Sequence, residues 1–206
     1  MIKSVNNYPV SQLFDIEMGV VYAIPRYQRE YTWSKNQWKN LFDDVLENDP
    51  GYFLGSIICI NQSTDALSVQ KLELVDGQQR LTTLSLLFAA VYHALKKHET
   101  DLDDELRVEL INLKRKLVLK KGNDQIRLIP QIQNNNNSDY CAVLAEIGVI
   151  SEHDVPAYAG NRKIFRAYRY FQERIDEMAN GQSNRLGSIM EFVDKVGHAC
   201  MVKIEV

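Results

Sequence analysis

Several signatures of common enzyme classes are missing from these 206 residues. There is no GxxxxGK[ST] phosphate loop and no GxGxxG fingerprint, which argues against a P-loop nucleotidase and against a Rossmann dinucleotide fold. The three cysteines (Cys59, Cys141 and Cys200) form no CxxC pair, so neither a zinc ribbon nor a dithiol redox site is indicated. We expect all three to be core thiols of a protein in a reducing compartment.

Long apolar runs and a strong charge bias are also absent. No run approaches the roughly 20 apolar residues of a membrane helix, and the first residues lack the apolar centre of a signal peptide. The net charge is −3, so any DNA contact would need a local basic patch. Hydrophobic residues make up 45% of the chain, which is enough for a folded core. The sequence therefore predicts a globular cytoplasmic protein that does not enter the membrane.

The periodicity of the apolar residues predicts an α+β fold, with a small sheet and several helices. Strands are expected at 20–24, 52–60, 71–75, 125–130 and 199–206. Helices are expected at 9–18, 34–48, 77–97, 103–120, 138–148, 161–180 and 185–197. The helix at 77–97 is apolar nearly all round, as is typical of a central buried helix. Four consecutive asparagines within 131–137 indicate a loop, with Ser138 as the N-cap of the next helix.

One domain is expected to span residues 1–206. We expect an α/β part at 1–100 and a mostly helical part at 101–206. The chain ends on an apolar strand pattern, from which we expect the domain to continue in a longer protein.

The segment Asp76-Gly77-Gln78-Gln79-Arg80 stands where a predicted strand becomes the central helix. The first turn of a helix exposes unpaired N–H groups and the positive end of the helix dipole, which together attract anions. Gly77 would let a phosphate approach the backbone, and Arg80 could donate two hydrogen bonds to phosphate oxygens. Asp76 could bind Mg²⁺ or orient a water, and the two amides could hold a nucleotide or a water.

A purely structural interpretation of the same segment stays open. Asp76 is a good N-cap residue, and Asp76-x-x-Gln79 has the spacing of a capping box, which would contribute about 1 kcal/mol. A capping box has no use for Gln78 or Arg80, so it explains only part of the segment.

A second polar segment, Arg26-Tyr27-Gln28-Arg29-Glu30-Tyr31-Thr32-Trp33, follows the strand expected at 20–24. Arginines interleaved with aromatic residues suit contacts with phosphates and bases. The alternative is a solvated turn in which Tyr31 and Trp33 cover the core. The four histidines are scattered without the spacing of metal ligands.

Together these segments resemble the N-terminal domain of GmrSD-type restriction endonucleases, which are modification-dependent. The order and the spacing match in Ile24-Pro25-x-Tyr27-Gln28-Arg29-x-Tyr31-x-Trp33, in Phe53-Leu54-Gly55-Ser56-Ile57 and in Asp76-Gly77-Gln78-Gln79-Arg80-Leu81-Thr82-Thr83-Leu84. The run Asn161-x-x-Ile164-x-x-Ala167-Tyr168-x-Tyr170-Phe171 is similar to a later helix of that family. The resemblance covers about the whole chain. It implies a ParB/sulfiredoxin-like fold and a role in phage defence, through restriction of foreign or modified DNA.

The resemblance also implies hydrolysis of a nucleoside triphosphate with Mg²⁺. The expected catalytic residues are Asp76, Gln78, Gln79 and Arg80. The expected nucleotide-binding residues are Tyr27, Gln28, Arg29 and Gly77, of which Gly77 allows the close approach. On this basis we expect Arg29 and Arg80 to bind phosphates, Asp76 to bind Mg²⁺ or the attacking water, and Gln79 to orient that water.

The expected partners are DNA, a nucleoside triphosphate and an HNH-type nuclease domain or subunit. No His-Asn-His cluster occurs in this sequence, so we do not expect an HNH nuclease within it. One alternative is a non-catalytic module in which nucleotide binding changes the affinity for DNA. A sulfiredoxin-like reductase would need a reactive cysteine near the phosphate loop, and residues 61–140 contain none. A nuclease activity within the domain itself is a further alternative.

Overall fold

A computed structural model of the chain describes residues 1–63, 69–120 and 125–206. Six strands within these ranges form one mixed sheet: β1 (Ser4–Pro9), β2 (Val20–Ala23), β3 (Phe53–Asn61), β4 (Gln70–Asp76), β5 (Leu128–Ile129) and β6 (Cys200–Glu205). Seven α-helices accompany the described part of the sheet: α1 (Val10–Leu13), α2 (Lys35–Glu47), α3 (Gln78–Lys96), α4 (Asp104–Leu117), α5 (Asn136–Glu146), α6 (Lys163–Ala179) and α7 (Arg185–His198). The predicted α+β class is confirmed, and the narrower ParB/sulfiredoxin-like assignment stays a prediction.

The strand order β1-β6-β3-β4-β2-β5 places the last strand of the chain between β1 and β3. β4 and β5 both run parallel to β2, which lies between them, whereas β3 is antiparallel to β4. The carboxyl ends of β4, β2 and β5 therefore meet at one edge of the sheet. In sheets with parallel strands, ligands bind in the crevice outside such carboxyl ends.

Helix α3 forms the centre of the core. Sixteen of its 19 residues are buried, because it packs against α4 and α6. The prediction of a central helix that is apolar nearly all round is confirmed. Its start, directly after β4, is thereby fixed relative to the edge where the three parallel strands end.

The start of α2 also follows the sequence prediction. Ser34 is the N-cap, and Gln37 Oε1 accepts the Ser34 backbone N–H at 2.9 Å. The helix buries the predicted apolar face through Trp38, Leu41, Phe42 and Val45.

Several predicted boundaries were wrong for identifiable reasons. The helix expected at 9–18 covers only Val10–Leu13, and the polar strand β1, which lies at the edge of the sheet, was missed. Helix α5 begins at Asn136, two residues before the predicted Ser138 cap, because Asn134 and Asn135 adopt φ values of 59° and 62°. Asparagine tolerates this left-handed region better than most residues.

Among the cysteines, only Cys59 is fully buried, and burial raises the pKa of its thiol. Cys141 and Cys200 are half-buried, so the prediction of three core thiols holds for one of them.

Arg127, just before β5, is a charged residue that is buried. Its side chain is only 2% exposed, and one terminal N–H group donates to the carbonyl of Met18 at 2.9 Å. Burial lowers the pKa of this guanidinium. The hydrogen bond joins β5 to the chain just before β2, which strengthens the edge of the sheet where the parallel strands lie.

His93 links α3 to α6 through its Nδ1 atom. Nδ1 lies 2.5 Å from the Tyr168 hydroxyl and 2.7 Å from Gln172 Nε2. Since both partners can donate, Nδ1 acts as the acceptor and the imidazole is neutral. Burial is the largest cause that lowers the pKa of His93, and the nearby charges of Lys97 and Lys96 add to it.

Protonation of His93 should therefore weaken the fold at acid pH. Because its pKa is lower when folded than the unfolded value of about 6.5, the unfolded chain binds more protons as the pH falls through that value. The contribution is complete above about pH 6.5 and is lost as the pH falls toward the folded pKa. In urea denaturation at pH 7 and pH 5, His93→Gln should lose less free energy of unfolding on acidification than the parent. His153→Gln, at an exposed position, should behave as the parent does. Equal losses for the parent and His93→Gln would contradict this account.

Candidate functional site

The structure brings the two polar segments together at the carboxyl ends of β2 and β4. Gln28 Nε2 donates to the Val75 carbonyl at 2.7 Å, and Gln78 Nε2 donates to Gln28 Oε1 at 3.1 Å. The Tyr27 hydroxyl donates to Glu73 Oε1 at 3.1 Å. The loop at 25–33 therefore lies against the last residues of β4 and the first turn of α3, as expected if both segments form one site.

Gln79 fastens this loop to the helix. Its Nε2 donates to the Glu30 carbonyl at 2.9 Å, while its Oε1 accepts the N–H groups of Thr32 at 2.8 Å and Trp33 at 3.3 Å. The side chain is only 5% exposed. With its oxygen already accepting two backbone donors, Gln79 holds the loop in position rather than facing solvent.

The helix begins differently from the capping-box interpretation, which is wrong. β4 continues through Asp76, which pairs with Ile58, so Gly77 becomes the N-cap and no side chain caps the helix. Gly77 has φ +87°, and a Cβ atom there would lie 2.6 Å from Ile57 Cγ2 and 2.9 Å from the Ser56 carbonyl oxygen. Only glycine fits this junction without strain.

Asp76 is left exposed at the end of β4. Its carboxylate has no hydrogen-bond or ion-pair partner among residues 1–63, 69–120 and 125–206. The Asp76 carboxylate does not cap α3 and is therefore available to a ligand. It precedes the first turn of the helix, whose N–H groups before Leu81 have no partner within the helix, because the first helical bond runs from Leu81 N to the Gly77 carbonyl.

Arg80 lies on the β3 side of β4. Its terminal N–H group donates to the Ser56 carbonyl at 3.1 Å. Gly55 has φ +114°, at a bulge in the pairing of β3 with β6, and a Cβ there would be 2.7 Å from Arg80 Nε. Gly55 and Ser56 thus hold the guanidinium. This role was not predicted from the sequence, although a glycine inside a strand often marks close approach of another group.

Arg29 lies on the opposite side, toward β2 and β5. It is exposed and lines a small cavity together with Gln78 and Gln79. The start of α3 therefore has one guanidinium group on each side and the exposed Asp76 carboxylate before it, although Arg80 and Asp76 do not line the cavity beside Arg29. Such a set suits a polyphosphate, because guanidinium groups and unpaired N–H groups both donate to phosphate oxygens.

The loop after β5 also lies at this edge, and its contribution was not predicted from the sequence. Gln131 follows β5 and is only 4% exposed. Its Nε2 donates to the carbonyl of Gln28 at 2.5 Å and to that of Arg26 at 3.3 Å. Asn136, at the start of α5, is 7% exposed and lines the same cavity as Gln131. An amide residue close after a strand that ends at a site, as Gln131 is after β5, was the signal that could have identified it.

The start of α6 supports the loop from its other side. Lys163 Nζ donates to the Thr32 carbonyl at 3.2 Å. The neighbouring Arg162 forms a salt bridge of 2.7 Å with the buried Asp139, which ties α6 to α5. Burial raises the pKa of Asp139, although Arg162 opposes this effect.

Within the described residues, no three histidine, cysteine or acidic side chains gather to hold a metal ion. Mg²⁺ is commonly bound through one or two carboxylates together with substrate phosphates and waters. The single free carboxylate of Asp76 fits a magnesium ion that is shared with a phosphate ligand.

Comparison with known families gives one match. The family model described as the GmrSD restriction endonuclease N-terminal domain matches residues 10–205. A search of the curated proteins found no match. No helix in the part of the chain that the structure describes is long and apolar enough to cross a membrane.

Replacement of Gly77 tests the steric account of the strand–helix junction. Gly77→Ala should lose about 2–4 kcal/mol of unfolding free energy, through left-handed strain and the clash with Ser56. Gly51→Ala is the matched control, since Gly51 has φ +95° but nothing within 4 Å of an added Cβ. It should lose about 1 kcal/mol. Equal losses in urea denaturation would show that the junction is not sterically constrained.

Replacement of Gln79 tests its role in fastening the loop. Gln79→Glu keeps the acceptor oxygen but sets a second oxygen against the Glu30 carbonyl. We expect it to cost about 2–3 kcal/mol and to speed amide hydrogen exchange at Thr32 and Trp33. Gln12→Glu, on an exposed position of α1, should change neither quantity. Unchanged exchange at Thr32 and Trp33 in Gln79→Glu would contradict the assignment.

Proposed function

This chain belongs to the family of GmrSD restriction endonuclease N-terminal domains, and we propose that it is the nucleoside triphosphate-binding and -hydrolysing module of a GmrSD-like restriction system. Restriction endonucleases act on DNA, so DNA is a partner of such a system. The observation that carries the nucleotide proposal is the placement of three charged groups around the start of α3: the exposed Arg29 in the loop held against its first turn, Arg80 within that turn, and the exposed Asp76 at the end of β4.

The phosphates of the nucleotide would be bound by this first turn and by the two arginines. The turn donates backbone N–H groups, Arg80 approaches over Gly55, and Arg29 approaches from the loop at 25–33. Asp76 would hold Mg²⁺ together with the phosphates, or would orient the attacking water. When bound, Mg²⁺ would neutralise the charge that develops on the phosphate oxygens.

The two glutamines take a different role from the one expected from the sequence. The Gln79 oxygen already accepts two backbone N–H groups, so we assign Gln79 to positioning the loop that carries Arg29 rather than to orienting water. Gln78 and Gln28 join the two motifs through their side chains. They would keep the phosphate-binding groups in register before the nucleotide arrives, which lowers the entropic cost of binding.

A second candidate function is a non-catalytic module in which nucleotide binding controls DNA sensing. The observation that favours it is that both motif glutamines are committed to protein partners. Asp76 is then the only group of the motif left to act on water. Release of inorganic phosphate in the presence of Mg²⁺ separates the two functions, since the non-catalytic module would bind nucleotide without consuming it.

We further propose foreign or modified DNA and an HNH-type nuclease domain or subunit as partners, with the cytoplasm as the place of action. The three free thiols fit a reducing compartment. A sulfiredoxin-like reductase is not favoured, because Cys59 is buried with a raised pKa and is therefore a poor nucleophile.

Substitution of the two charged motif residues tests the hydrolytic function. Asp76→Asn and Arg80→Ala should each lower phosphate release from a nucleoside triphosphate about 100-fold, while Asp76→Asn, at an exposed position, should keep the urea midpoint of the parent. The matched controls are Asp101→Asn and Arg107→Ala, both on exposed positions far along the chain from the motif. They should hydrolyse at the parental rate.

Phosphate release should be measured with each of the four ribonucleoside triphosphates, with and without modified DNA. Parental turnover in Asp76→Asn would refute the site. Tight nucleotide binding without phosphate release in the parent would favour the non-catalytic module.

A further inference from the structure

Two buried amides beside the nucleotide site lack partners for one polar atom each. The Oε1 atom of Gln131 and the Nδ2 atom of Asn136 have no hydrogen-bond partner within the described ranges of the chain. Both side chains are more than nine-tenths buried. Leaving a buried polar atom unpaired costs about 1–3 kcal/mol, so such a pair in one place points to a ligand.

The orientation of the Gln131 amide is fixed by its other contacts. Its Nε2 donates to two backbone carbonyls, those of Gln28 and Arg26. Turning the amide over would set Oε1 against both carbonyl oxygens, which repel it. Gln131 therefore presents an acceptor, and the unpaired atom of Asn136 is Nδ2, which is a donor.

These two atoms belong to residues that line one small cavity with Arg29, Tyr31, Gln78 and Gln79. The cavity has a volume of about 10 Å³, which is about the space that a single water-sized group occupies. It lies between the loop at 25–33, the first turn of α3 and the loop after β5. A ligand bound at the start of α3 would thus have this cavity at its side.

The chemistry of the two atoms selects the group that fits. A phosphate offers only acceptors and would face the Gln131 oxygen with a negative charge. A metal ion would bind that oxygen but would meet the N–H groups of Asn136. A whole nucleobase has donors and acceptors but exceeds the volume of the cavity. A hydroxyl group donates one hydrogen bond, accepts another and has the size of a water molecule.

We propose that Gln131 and Asn136 bind a ribose hydroxyl of the nucleotide. This hydroxyl would donate a hydrogen bond to Gln131 Oε1 and accept one from Asn136 Nδ2. This inference rests on the proposed nucleotide-binding function and adds a sugar-recognition element to it. The site would then select ribonucleotides over deoxyribonucleotides. The sugar contact comes from a loop outside both motifs that carry the family resemblance.

Binding of matched nucleotides tests the proposal. Calorimetry with Mg²⁺ should compare each ribonucleoside triphosphate with its 2′-deoxy and 3′-deoxy counterparts. We expect the parent to bind at least one deoxy form about tenfold or more weakly than the ribonucleotide. In Asn136→Leu and Gln131→Met, that ratio should fall toward one through weaker binding of the ribonucleotide. Gln133→Leu, an exposed position on the same loop, should keep the parental ratio.

Stability measurements separate binding from folding. Asn136→Leu removes an unpaired buried donor, so its urea midpoint should equal or exceed that of the parent. This variant therefore still tests the sugar contact if Gln131→Met unfolds. Equal affinity of the parent for the ribonucleotide and both deoxy forms would overturn the sugar contact while leaving the nucleotide function intact. Retention of the parental ratio by Asn136→Leu would also overturn the sugar contact and leave the nucleotide function intact, because the cavity would then hold only a structural water. Absence of any nucleotide binding would refute the proposed function, and this inference with it.

Discussion

The site depends on one buried side chain, Gln79, which joins the most rigid helix of the fold to the loop that crosses its start. Three hydrogen bonds from its amide to the backbone of residues 30–33 fix that loop. Because α3 is buried nearly all round, the loop that is bonded to it is held at a fixed position relative to the core. The loop thereby places Arg29 beside the helix start, and among the described residues the Arg29 guanidinium has no hydrogen-bond or ion-pair partner.

The rest of the geometry depends on two glycines, because a Cβ atom at either position would clash with its neighbours. Gly77 lets β4 pass directly into α3 against the backbone of Ser56, so that Asp76 ends a strand and stays free of the helix. Gly55 leaves room over β3 for the Arg80 guanidinium. Together with the parallel arrangement of β4, β2 and β5, these close approaches place Asp76, Arg80 and the first turn of α3 at the edge of the sheet where those strands end.

Much of this arrangement could be predicted from the sequence, and the failures have physical causes. The central helix, the α2 cap at Ser34 and the meeting of the two motifs follow from periodicity and spacing, which are local signals. The Asp76 cap was wrong because strand pairing with Ile58 outweighed the local preference of aspartate for an N-cap. Gln79 was expected to face water, but its partners lie 46 to 49 residues away in the chain. Gln131 and Asn136 were missed because β5 is only two residues long and its neighbour β2 is distant in sequence.

Hydrogen–deuterium exchange across the whole chain, with and without a non-hydrolysable nucleoside triphosphate and Mg²⁺, tests the central claim most directly. If the nucleotide binds at the carboxyl ends of the three parallel strands, protection should concentrate at 25–33, 76–82 and 130–137. Binding that leaves these three segments unchanged and protects another part of the chain, such as the groove lined by residues 142–155, would contradict the account.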